Sequence, residues 1–132
     1  MSSRSREWFR HVYQPLTYNK SLLATDSGTL DNVLAVRNSN YTIYVQAIEF
    51  ACAAGGAQTL TFQDDAGTPV VIAKTKATAV QGDSYLFDFG PEGIPLTAGK
   101  NLDIVISGAA LAGGIHVEGY QKLTSATAIG SV

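Results

Sequence analysis

The chain has 132 residues, of which 45% are apolar and only 15% charged, which suits one domain with an ordinary hydrophobic core and leaves no room for a second. A charged share well under the usual ~25% predicts that part of the surface is covered by a partner rather than by water. The single cysteine, Cys52, excludes an internal disulfide. With no apolar run near the ~18 residues of a membrane span and no signal-peptide pattern, the chain is expected to be neither membrane-spanning nor exported by that route.

Residues 1–20 differ from the rest and are read as an N-terminal arm. They carry Arg4, Arg6, Arg10 and Lys20 against Glu7, a net of +3, while residues 21–132 carry five basic and ten acidic side chains, a net of −5. A mildly basic arm on an acidic body is suited to docking on something acidic: another copy, another protein or nucleic acid. The arm interleaves charges with Trp8, Phe9, Tyr13 and Tyr18, and it holds the only tryptophan of the chain. It shows no two-residue alternation of apolar and polar residues, and Pro15 interrupts any helix beyond a short turn at 7–13. Large anchors set among arginines are the composition of interface hot spots. The expected partner-binding residues are therefore Arg4, Arg6, Trp8, Phe9, Arg10, Tyr13 and Tyr18.

From residue 32 onward the pattern predicts strand after strand with turn residues between. A short strand over 32–36 is closed by Asn38-Ser39-Asn40. The longest strand covers 41–50. Its apolar residues fall on both faces, Tyr41, Ile43, Val45 and Ala47 against Tyr44, Ile48 and Phe50, which predicts cover on both sides. Residues 51–57, with Gly55-Gly56, read as a loop. Residues 58–63 alternate, Leu60 and Phe62 inward, and Asp64-Asp65-Ala66-Gly67 is a hairpin turn. The partner strand is expected over 69–73, with 75–80 continuing it. Tyr85, Phe87 and Phe89 share one face of a strand over 84–89. Turns at 90–93 and 96–99 then lead into 101–107, and 115–122 closes the domain with His116, Glu118 and Tyr120 on one face. Residues 123–132 are a small-residue tail, floppy or extended along a neighbour. Seven or eight short strands with no amphipathic helix of three turns predict an all-β antiparallel sandwich over 21–122, a jelly roll if the strands form two sheets.

Catalytic and metal chemistry have little to stand on. Of the two histidines, His11 lies in the arm and His116 alternates with apolar residues on a late strand, and the nucleophile elbow Gly-x-Ser-x-Gly is missing. One cysteine and two scattered histidines fit no zinc spacing, and a hairpin turn accounts for Asp64-Asp65 without calcium. The paired glycines lie between strands and cradle no phosphate. Three arginines above a −5 body are too few to neutralise a packaged genome, so nucleic acid is disfavoured. An enzyme is therefore not expected, and neither is a small-molecule substrate or a cofactor. A sugar-binding module stays open as an alternative.

The organisation resembles the small jelly-roll decoration or cement proteins of tailed bacteriophage heads. The likeness rests on the polar-aromatic arm, the hairpin Asp64-Asp65-Ala66-Gly67, the run Ile94-Pro95-Leu96-Thr97-Ala98-Gly99-Lys100 leading into Leu102–Ile106, and the close Gly114-Ile115-His116-Val117-Glu118-Gly119-Tyr120. It covers roughly residues 20–122. The resemblance implies a structural virion protein made in the host cytoplasm and seated on the capsid surface. There it would be a homotrimer bridging neighbouring copies of the major capsid protein. It brings no catalytic residues with it. Alternatives of the same kind are a tail, neck or fibre-attachment subunit, or an RNA-packaging coat protein.

Overall fold

A computed structural model of the chain describes residues 13–108 and 111–124. Nine strands run through them: β1 (Gln14–Leu22), β2 (Gly28–Leu34), β3 (Tyr41–Ala54), β4 (Thr59–Asp64), β5 (Val71–Lys74), β6 (Ser84–Asp88), β7 (Ile94–Pro95), β8 (Leu102–Ser107) and β9 (Ala112–Leu123). One sheet has the order β1-β9-β3-β6, with two-residue β7 also on β3; the other has the order β2-β8-β4-β5. Among the described residues no helix is long and apolar enough to cross a membrane.

The two orders follow from one long antiparallel ribbon folded over on itself. Its nested pairs are β1 with β9, β2 with β8, β3 with β6, and the hairpin β4–β5 at the tip. Rolling it brings β9 beside β3 and β8 beside β4, which completes both sheets. That is a jelly roll, as the strand count and turn spacing predicted, with β7 as a short extra.

The core lies between the sheets. β8 supplies Leu102, Ile104 and Ile106, β4 supplies Leu60 and Phe62, and β9 supplies Ile115 and Val117, all buried. β3 crosses this core differently from expectation. Its pairing with β9 shifts between Val45 and Ala47, so Gln46 is an extra residue that reverses the inside–outside phase. Tyr41, Ile43 and Val45 point inward before the bulge, and Ile48, Phe50 and Cys52 point inward after it. The apolar residues on both nominal faces therefore serve one buried face, and the outer side of β3 is not covered by a third layer among the described residues.

Several boundaries also move: β2 covers Gly28–Leu34 rather than 32–36, and β9 begins at Ala112 rather than 115. β3 runs on to Ala54, into the predicted loop, and residues 75–80 do not extend β5: they cross back and meet the β3–β4 connection through a Gly56–Ala79 bridge. The largest difference is β1. Residues 14–20, assigned to the arm by their composition, pair with β9 from Gln14–Gln121 to Leu22–Gly113. Leu16 and Tyr18 on its inward side pack on the core, and Pro15 is tolerated because β1 is an edge strand.

Two buried side chains tie the loops down. Asp64, fully buried, accepts hydrogen bonds from the amides of Ala66 and Val70 and from the amide and hydroxyl of Thr97 at 2.6–3.2 Å. It thus joins the β4–β5 turn to the β7–β8 turn. Gln58 donates to the Gly108 carbonyl at 2.6 Å and accepts from the Leu111 amide, anchoring the β8–β9 connection. The expected hairpin residue Asp64 is thus a structural carboxylate with its lone pairs spoken for. Cys52 is buried as expected. Burial, and next the nearby Asp83 carboxylate, push its thiol pKa up, which keeps it protonated and unreactive.

Candidate docking face

The outward side of the β1-β9-β3-β6 sheet is a continuous face built in rows, because cross-strand partners on one side of a sheet stand abreast. One row is Thr17–Glu118–Ala47–Asp88, the next Asn19–His116–Glu49–Leu86, and the third Ser21–Gly114–Ala51–Ser84. The third row has almost no side chain. It forms the floor of an open trough of ≈ 670 Å³ whose walls include Asn19, Glu49, Tyr85, Leu86 and His116. Leu86 stands 64% exposed at its edge, the most exposed large apolar residue described. A second depression of ≈ 400 Å³ adjoins it through the shared residues Glu49 and Leu86, and carries Asp88 and Glu118 as well. Three carboxylates and no basic side chain line this second hollow.

His116 sits between the two. Its Nδ1 lies 2.5 Å from Asn19 Oδ1 and its Nε2 2.9 Å from Glu118 Oε1. Both ring nitrogens are thereby engaged by strand neighbours, as expected for an outward sheet residue, and among the described residues no serine hydroxyl is hydrogen-bonded to the ring. Among the described residues no group of three or more His, Cys, Asp or Glu is arranged to hold a metal ion. Lys20, at the rim of the trough, is turned toward Asp26 at 3.9 Å.

At the opposite end of the face stands an aromatic cluster. Tyr44 and Tyr120 are cross-strand partners with rings stacked at 5.1 Å and 5°, and Tyr13 leans on Tyr120 at 5.8 Å. Lys122 Nζ lies 4.8 Å from the centre of the Tyr44 ring and 5.8 Å from that of Tyr13, a cation–π clamp. The Tyr120 hydroxyl donates to the Glu92 carbonyl at 2.7 Å. This cluster pins the point where the chain enters β1.

Of the residues expected to bind a partner, Arg4, Arg6, Trp8, Phe9 and Arg10 lie outside the described residues. Tyr13 is 46% exposed in the aromatic cluster. Tyr18 lies half-buried on the inward side of β1, packed against the core. Sequence reasoning missed the trough, although the signal was present as small residues (Ser21, Ala51, Ser84, Gly114) that only the strand register brings abreast.

No family model matches the chain, and no curated protein matches it. Among solved structures, it is similar to a chain of Bacillus endospore appendages, a family of disulfide-linked pili, with 13% identity over 86% of this chain and 88% of that one and a TM-score of 0.46. It is also similar to PirA, with 10% identity over 82% of this chain and 93% of that one and a TM-score of 0.31.

Proposed function

We propose that this chain is a structural assembly subunit and not an enzyme, and that it decorates the head of a tailed bacteriophage by bridging neighbouring coat subunits. The observation that carries the reading is the outward face of the β1-β9-β3-β6 sheet. An exposed leucine, a trough floored by small residues and a belt of carboxylates stand there together, on the same sheet face as the Tyr13 cluster at its far end. Apolar surface rimmed by charge is what a protein partner covers. The low overall charge and the resemblance of the turn and strand motifs to those of head-decoration proteins support the same reading.

Attachment to shells tests it. The arm must be cut at residue 12, because β1 begins at Gln14 and removing residues 1–20 would strip an edge strand from β9. A chain starting at Tyr13 is expected to stay folded and to lose attachment to phage heads. Full attachment by the shortened chain, or no attachment by the intact one, would end the proposal.

A sugar-binding role has less support. The Tyr44 and Tyr120 rings spend facing sides on each other, and Lys122 lies over Tyr44, so they offer little open platform. A glycan array probed with the intact chain, giving no hits, removes that reading.

A further inference from the structure

We infer that the trough and acidic belt of one copy receive the N-terminal segment 1–12 of a second copy, with Trp8 seated over Gly114 and Ala51. The inference deepens the assembly reading above and rests on it.

Charge gives the first argument. The hollow lined by Glu49, Asp88 and Glu118 has no cation of its own, while residues 1–12 carry Arg4, Arg6 and Arg10 against Glu7. Guanidinium–carboxylate pairs are the strong, directional form of such contacts.

Spacing gives the second. In an extended chain alternate residues point the same way, so an arm that binds in extended form would set Arg4, Arg6, Trp8 and Arg10 on one side, about 6.6 Å apart. The rows of the receiving face repeat at the same interval, since they also lie two residues apart along each strand. Trp8 over the Ser21–Gly114–Ala51–Ser84 row, beside exposed Leu86, places Arg6 over the row of Glu49 and Arg4 over the row of Glu118 and Asp88. The row able to take an indole is the row with the smallest side chains. Gly114 has nothing within 4 Å of where a Cβ would stand.

Reach decides between the chain's own segment and a neighbour's. Tyr13 lies under Lys122, and Gly114 is eight residues further along β9, a distance of about 26 Å. Trp8 is five residues from Tyr13 and spans at most about 18 Å. The main chain at a chain's own Trp8 ends about 8 Å short of its own Gly114 row. It would also have to double back beside β1, which runs toward that row from Gln14, so the occupant comes from another copy.

The experiment uses two preparations of the full chain. One carries a benzophenone amino acid in place of Trp8, and the other is isotopically labelled with native Trp8. Irradiating the mixture is expected to join position 8 to labelled peptides containing Ala51, Leu86 or Gly114. Links confined to the same chain, links to another surface, or no links at all overturn the inference. Charge reversal provides an independent measure. Glu49→Lys with Glu118→Lys, both exposed, should weaken copy–copy association in sedimentation about tenfold or more, and adding Arg4→Glu with Arg6→Glu should restore it. Unchanged association in the lysine variant, or no restoration, counts against the arrangement. Shell attachment is scored separately: copies that cross-link as described yet never bind heads keep this inference and end the phage reading. Copies that bind heads without cross-linking do the reverse.

Discussion

Asp64 and Asp103 lie at one end of the sandwich and respond to their surroundings in opposite ways. For Asp64, burial alone would raise the pKa, but the hydrogen bonds from the Thr97 hydroxyl and from the amides of Val70, Thr97 and Ala66 outweigh it and hold the carboxyl below its ordinary value. A carboxylate depressed in the folded state contributes stability that is present above the unfolded pKa and lost as pH falls through the folded one. Asp64→Asn puts an NH2 where an acceptor is needed and is expected to cost roughly 3 kcal/mol, read by urea unfolding at neutral pH, with a smaller difference from wild type in strong acid. Asp103 is the reverse case. Burial raises its pKa, and the nearby Asp65, Asp31 and Asp64 carboxylates add to the effect despite a 3.0 Å hydrogen bond from the Asn32 amide. Its charge therefore costs stability above the usual carboxylate range, and the cost disappears as pH falls through the raised folded value. Asp103→Asn keeps an acceptor for Asn32 and removes the charge, so its Tm should rise at pH 7; a fall would show that the charge is needed.

At the scale of elements, β9 and β3 are the two strands of the first sheet paired on both sides, β9 with β1 and β3. Gly119 on the inward side of β9 is constrained by that position: a Cβ would meet the Tyr44 carbonyl oxygen at 2.5 Å and Leu34 Cδ1 at 3.3 Å. A backbone oxygen in a central ladder cannot step aside cheaply, so Gly119→Ala is expected to destabilise by about 1–3 kcal/mol. Gly114→Ala, on the open outward side five residues back along β9, should change Tm far less. Equal losses at the two positions would contradict the packing argument. The elements legible in sequence were those with clean two-residue alternation, β4, β6 and β8. β1 was hidden because its inward side reads Gln14, Leu16, Tyr18, Lys20, with polar residues at positions an edge strand leaves half open. The Gln46 bulge was hidden for a different reason: it breaks the very period from which faces are read.

For the molecule as a whole, the arm is expected to be separable from the sandwich. A chain beginning at Tyr13 keeps β1, the aromatic cluster and every core residue among those described, so its Tm should match that of the intact chain within a few degrees. Loss of residues 1–20 removes Leu16 and Tyr18 from the core and uncovers β9, and should lower Tm sharply or cause aggregation. Near-equal melting of all three chains would contradict the assignment of residues 14–20 to the sheet. What the sequence determined alone is the all-β class, most of the strands and their turns, the burial of Cys52 and the outward side of His116. Those features rest on local alternation and turn chemistry, which neighbouring residues specify between themselves. Only the tertiary structure decided that β1 belongs to the sandwich, that both halves of β3 serve one core, and that small residues from four strands line up as a trough beside three carboxylates. Each of those depends on strand register, a relation between residues up to about a hundred positions apart that no local pattern encodes.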